Sequence, residues 1–323
     1  MVRRLLCFAC ATIFLVSCIG VVSAVNASNP RYTIEELTND ENEIIRTVTK
    51  ASATSRYAEE RIDREYLSHM LLDLGVEENV IDNMSESEWI EIEKSPQIYT
   101  ITKYQMTNGE GMIVTIPESE ALAAASDVTT ENTDYLKLVL LVIQQTDSPG
   151  SFRLTASTRW LTMPTIRWRD SIAICAQNFA ISDGTQSGYY YHCESRYHSD
   201  GTVTYRDEDD TRVDLTSDDF ELASYGNLFG TGCKFFLPDD DDYGGSVTNC
   251  TEFYVQMTFK GHVNYPTLTS NFNVFATYCH TLVTLNLNPS ITIAGAGSSM
   301  DIGLGFGPNY DNTTALLEIS YDP

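Results

Sequence analysis

A chain of 323 residues with 42% hydrophobic content carries enough apolar mass for a large core, which excludes global disorder. Its formal net charge of −25 at pH 7 excludes non-specific affinity for nucleic acid, because the phosphates would be repelled rather than neutralised. That charge leaves open cationic partners, divalent metals held by carboxylates, or plain colloidal solubility.

Residues 1–24 read as a signal peptide. Arg3 and Arg4 form a basic start, Leu5 to Val22 is an almost unbroken apolar run, and Val22-Ser23-Ala24 supplies the small residues of a cleavage site. Two rivals share the segment. Leu15-Val16-Ser17-Cys18 resembles a lipobox, which would lipidate Cys18, and about 20 apolar residues are long enough to stay as a membrane anchor. All three put the remaining chain outside the cytoplasm, secreted or at the cell surface.

Residues 25–56 are polar and weakly periodic, and are expected to be a spacer with a short helix near Glu35–Thr47. From 57 to 117 the pattern predicts a small helical module followed by a β-hairpin. Ile62, Tyr66, Met70 and Leu74 recur every four residues, with Gly75 placed as a C-cap. A second short helix spans Glu77–Asn83, and Ser85 with Glu88 forms a capping box for a third that carries Trp89 and Ile92. The β-branched runs at 98–104 and 112–116 flank Asn108-Gly109, a hairpin signature. Residues 118–133 lack a strand pattern, which places a linker there.

Residues 134–323 predict an antiparallel β-sandwich or jelly roll, so the fold class is mainly β. Leu136 to Ile143 is apolar apart from Lys137, as in a strand buried on both faces. Phe152, Leu154, Ala156, Thr158 and Trp160 then alternate with Arg153, Thr155, Ser157 and Arg159, as in a half-buried strand. Further strands are expected at 189–193 and 202–205 around Asp200-Gly201, at 228–237, at 253–260 and at 272–284. Ser290–Phe306 reads as a Gly/Ser-rich edge hairpin. Its arms are shorter than the roughly 9–11 residues of a bilayer-spanning strand.

Candidate chemistry is spread over several groups. Asp207, Asp209, Asp210 and the run Asp239, Asp240, Asp241 and Asp242 are candidate Ca²⁺ ligands, since Ca²⁺ takes six to eight oxygens. Their spacing is not that of an EF-hand loop. Arg153, Arg159, Arg167 and Arg169, interleaved with Trp160 and Trp168, form a candidate anion- or glycan-binding strip. Parity turns the tryptophans inward and the arginines outward. His192-Cys193-Glu194 with His198, and Cys279-His280, contain metal-ligand or nucleophile atoms without a zinc or triad signature. Five cysteines lie beyond the leader; Cys233 and Cys250 flank the second acidic run and are a candidate disulfide worth about 3 kcal/mol. Five reduced, buried thiols are the alternative.

The segments LLDLGVEENVIDNMSESEW, RWLTMP and LNPSITIAGAG resemble a loose group of exported proteins of Gram-positive bacteria. That resemblance implies export and a β-rich fold and no particular activity. The expected function is that of an extracellular, non-enzymatic β-sandwich protein binding a surface, a glycan or a protein partner. A secreted hydrolase with paired carboxylates and a pore-forming protein are the alternatives.

Overall fold

The computed structural model describes residues 22–23, 32–50, 62–107, 113–126, 135–146, 150–164, 167, 169–207, 211–238, 242–243, 246–264, 271–281, 292–295, 300–303 and 310–321. Apart from the backbone of Val22 and Ser23, residues 1–24, expected as a signal peptide, lie outside them. None of the described helices is long and apolar enough to cross a membrane.

In chain order the elements are β1 (Val22–Ser23), β2 (Tyr32–Thr38), β3 (Ile44–Lys50), α1 (Arg64–Asp73), α2 (Glu78–Asp82), α3 (Glu86–Lys94), β4 (Gln97–Thr107), β5 (Ile113–Ile116), α4 (Glu118–Ser126), β6 (Tyr135–Gln144), β7 (Ser151–Thr162), β8 (Arg169–Gln177), β9 (Phe179–Ile181), β10 (Ser187–Tyr197), β11 (Val203–Arg206), β12 (Val213–Leu215), β13 (Phe220–Tyr225), β14 (Leu228–Phe236), β15 (Asp242–Tyr243), β16 (Ser246–Val263), β17 (Asn271–Thr281), β18 (Thr292–Gly295), β19 (Met300–Gly303) and β20 (Tyr310–Ser320). They form an antiparallel β-sandwich. The larger sheet runs β1-β2-β3-β4-β6-β7-β16-β10-β11, with β5, β9, β12 and β15 attached at its margins. The smaller sheet runs β13-β14-β8-β17-β20.

Alternation builds the core between the sheets. Leu138, Leu140, Leu154, Phe253 and Val255 of the larger sheet meet Ile172, Ile174, Phe235, Val274 and Leu317 of the smaller one. The opposite face of the larger sheet is covered as well. Leu67, Met70 and Leu71 of α1, Val80 and Ile81 of α2, and Trp89 and Ile92 of α3 pack on Ile98, Leu141, Ile143, Tyr189, Tyr191 and Tyr254. The molecule is therefore three layers, helices on sheet on sheet, which explains why β6 is apolar on both sides.

The helical cover changes the reading of β7. The half-buried strand expected there is buried on both faces, Arg153, Thr155 and Ser157 on one and Phe152 and Leu154 on the other. Residues 32–38 and 44–50, expected as spacer and short helix, form a β-hairpin that extends the larger sheet through β3–β4 pairing. Only one of its faces is buried, by Tyr32, Ile34, Ile44 and Val48, so its apolar signal is thin. Within 118–133, Glu118–Ser126 is helical, and β4 and β6 on either side pair from Ile98↔Ile143 to Met106↔Tyr135. The C-terminal hairpin β18–β19 forms a two-stranded sheet of its own instead of joining a sandwich edge.

Local signals hold in the helical layer. Gly75 follows the α1 cap with φ +83°, a conformation that favours glycine, and Ser85 and Glu88 exchange the two hydrogen bonds of a capping box.

Candidate functional site

The chain passes from the smaller sheet to the larger one at the corner between β8 and β9, and again between β14 and β15. Asn178, between β8 and β9, takes φ +49°, donates its backbone N–H to the Asn227 carbonyl at 2.7 Å and accepts from Asn264 N–H at 2.5 Å. Asparagine tolerates this left-handed conformation better than other non-glycine residues. The corner lets β9 pair with the end of β16, Phe179↔Val263 to Ile181↔Gly261. Gly261 is required there, because a Cβ would collide with the Phe179 ring and the Ala180 carbonyl.

On the other wall stand β13 and β14, with Leu222, Ser224 and Phe229 exposed. Between the walls lies a cleft of about 330 Å³, lined by Phe179, Ala180 and Ile181 of β9, by Leu222, Ala223, Ser224, Phe229 and Gly230 of β13–β14, and by Asn264. Its floor, Phe179, is fully buried and stacks on Phe272 at 5.8 Å. Its lip is open: Leu222 is 67% exposed and Phe229 37%. None of the lining residues is ionisable at neutral pH. Such a site can hold an apolar group, with Asn264 and Ser224 at hand to hydrogen-bond a polar part of the same ligand.

The residues singled out in the sequence lie elsewhere. The four arginines do not form one strip. Arg153 is buried beneath α3, its Nε 2.7 Å from Glu91 and its Nη1 3.2 Å from Glu88. Arg159 pairs with Glu77 at 3.3 Å and Glu252 at 3.0 Å; burial opposes its charge, but these carboxylates hold its pKa above the ordinary value. Both point away from the sandwich core, as alternation predicts, but into the helical layer. Arg167 and Arg169 belong to the far end of the smaller sheet, where Arg167 donates to the Pro164 carbonyl at 3.0 Å and Arg169 lies 4.6 Å from the Phe236 ring centre. Trp160 is buried in the sandwich core and Trp168 lies outside the described residues.

Among the candidate calcium ligands, Asp207 is exposed, while Asp209, Asp210, Asp239, Asp240 and Asp241 lie outside the described residues, as does the side chain of Asp242. No cluster of three metal-ligating side chains occurs among the described residues. No disulfide joins Cys233 and Cys250. Cys233 is packed in the inter-sheet core on β14, where burial pushes its thiol pKa up, whereas Cys250 belongs to β16 of the other sheet with its Sγ 3.6 Å from the Glu252 carbonyl. Cys279 and His280 are consecutive on β17 and so face opposite ways: Cys279 packs with Ala173, Cys175 and Phe275, and His280 points inward. His192 lies 3.5 Å from Glu194; burial lowers its pKa, and Glu194 is itself paired with Arg206 at 2.9 Å.

Two groups escaped the sequence reading. The cleft is one: Leu222 and Phe229 look like ordinary strand residues until the end of the sandwich is seen to be open. The other is a buried polar chain in which the Trp160 indole donates to the Tyr278 hydroxyl at 2.8 Å, Tyr278 donates to Asp170, and His280 Nδ1 lies 2.9 Å from the same carboxylate. Its signal was available, since Asp170 shares strand parity with Ile172 and Ile174. A carboxylate on an apolar face requires buried partners.

No protein-family model matches the chain, and no curated protein matches it. Solved structures that resemble it include the pilus backbone RrgB of Streptococcus pneumoniae, at 12% identity and TM-score 0.25 over 59% of this chain and 56% of that one. The collagen-binding subdomain of the Enterococcus faecalis surface protein ACE is 7% identical, with TM-score 0.20 over 54% of this chain and 90% of that one. The C-terminal domain of the Streptococcus agalactiae AgI/II polypeptide BspA is 8% identical, with TM-score 0.23 over 75% and 88%. The present chain thus spans just over half of the pilus backbone structure.

Proposed function

We propose that this is an extracellular, non-enzymatic β-sandwich protein that holds a partner through the open mouth of its sandwich. The carrying observation is the cleft between β9 and β13–β14, with Leu222 exposed at its lip above the buried Phe179. Its volume falls within the range of sites that take small molecules or single anchoring side chains. A hydrolase using paired carboxylates would need two acids across its cleft, and the lining of this one contains none. The leader supports export, and the strongly acidic character favours a cationic or neutral partner.

An uncharged, environment-sensitive dye such as Nile red tests the site. Wild-type protein should enhance its fluorescence saturably, and Leu222→Asn should weaken binding by about tenfold or more. Equal binding by both proteins, with unchanged circular dichroism, would overturn the assignment.

A further inference from the structure

The cleft between β9 and β13–β14 selects more than an apolar occupant. Two polar side chains stand in its lining, the Ser224 hydroxyl and the Asn264 carboxamide, and neither makes a hydrogen bond to a described residue. Ser224 is exposed and Asn264 half-buried. Asn264 is held by its main chain instead, its N–H donating to the Asn178 carbonyl at 2.5 Å, so its side chain starts from a fixed point. A hydroxyl and a carboxamide each donate and accept. A ligand group that does both, carried next to an apolar body, pairs with the two at once.

Charge narrows that group. The lining holds no side chain that is ionised at neutral pH, so an ammonium meets no acid in it and a carboxylate no base. Either would shed water without an ionic partner, which costs more than desolvating a neutral polar group. The net charge of −25 opposes a carboxylate further. A neutral amide meets every one of these conditions. Size narrows the body. A void of about 330 Å³ sits at the low end of the range for small-molecule sites, room for one large side chain rather than a long acyl chain. In a polypeptide such a side chain is flanked by amides on both sides by covalent structure.

We infer that the cleft takes one large apolar side chain of a partner polypeptide, with the flanking main-chain amides hydrogen-bonded by Ser224 and Asn264. This rests on the cleft being a binding site, and the test separates the two claims. The probe is N-acetylphenylalanine methylamide, used to displace Nile red from the full chain. Controls are N-acetylphenylalanine, which ends in a carboxylate, and phenylalanine methylamide, which keeps its ammonium at about pH 6. Decanamide, a neutral amide on an alkyl chain, stands for a lipid source.

The doubly capped amide should displace the dye at a concentration at least about tenfold below that of either charged analogue or of decanamide. The double variant Ser224→Ala/Asn264→Ala should cut its preference over the charged analogues to less than about threefold, and Leu222→Asn should weaken its binding. Equal displacement by neutral and charged compounds, or a preference that survives the double variant, overturns amide recognition while the cleft reading stands. Tighter binding of decanamide overturns the polypeptide source. If Leu222→Asn alters neither dye nor amide binding, the cleft reading fails and this inference falls with it.

Discussion

Arg153 of β7 and Glu91 of α3 meet at 2.7 Å across 62 positions of sequence, and this contact clips the helical layer to the sheet. The same carboxylate accepts from Lys260 of β16, and from Gln145 at the end of β6 at 3.1 Å. One acid thus gathers three neighbouring strands beneath α3. Burial works against the charge on Glu91, yet its hydrogen bonds to Arg153 and Lys260 hold its pKa below the ordinary 4.5.

Removing Arg153 leaves Glu91 and Glu88 without their shared partner in a site of low exposure. Arg153→Met should cost on the order of 3 kcal/mol in urea unfolding. Because the folded-state pKa of Glu91 is depressed, its contribution is present above pH 4.5 and lost as pH falls through the folded value. The stability difference between wild type and Glu91→Gln should therefore shrink on acidification below that point. A pH-independent difference would remove the electrostatic account of this clip.

Lys50 gives the opposite sign. It reaches the carbonyls of Ile92 and Glu93 at the end of α3, and burial lowers its pKa from 10.5 to about 8. Between those two values the unfolded chain binds the extra proton, so stability rises with pH. Relative to Lys50→Met, wild type should gain on the order of 1–3 kcal/mol from pH 7.5 to 10, measured by chemical unfolding at each pH. A flat difference would mean that the two carbonyls offset the burial of the ammonium.

The Asp170–Tyr278–His280 chain lies wholly within the sandwich core, and Trp160 closes it with an edge-on contact 5.1 Å from the His280 ring. Tyr278→Phe removes the hydroxyl shared by Trp160 and Asp170 and should cost about 1–3 kcal/mol. Nile red binding should not change, because none of these residues lines the cleft. Loss of dye binding without loss of stability would tie this chain to function.

Gly261 tests the wall of the cleft itself. The Cβ of Gly261→Ala has to displace the Phe179 ring or the Ala180 carbonyl, neither of which is the free end of a flexible side chain. The expected cost is about 1–3 kcal/mol, with weaker dye binding than that caused by an equally destabilising substitution elsewhere in the core. Thermal melts and dye titrations on the same preparations compare the two.

Local pattern made much of the architecture legible. The alternation of Phe253, Val255, Met257 and Phe259, the turn at Asp200-Gly201 and the capping box at Ser85 each encode their own geometry within a few residues, and all three appear where expected. The hairpin at 32–50 was less legible, because Glu35 next to Glu36 in β2 and Ile44 next to Ile45 in β3 break the alternation that marks a half-buried strand. Parity was legible for the arginines, and the burial of Arg153 was not. Alternation says that Arg153 points away from Phe152, but whether that side meets water or a helix depends on a segment 60 residues earlier.

By itself the sequence determined an acidic, mainly β chain with a short helical stretch, because charge and periodicity are properties of composition and nearest neighbours. Only the tertiary structure decided that the helices roof the larger sheet, that Cys233 and Cys250 belong to different sheets, and that Arg153 meets acids of α3 while Arg169 meets the Phe236 ring. Only it revealed the cleft at Leu222. Which strands neighbour one another, and where a sandwich is left open, are fixed by contacts between residues far apart in the chain, and no local pattern records them.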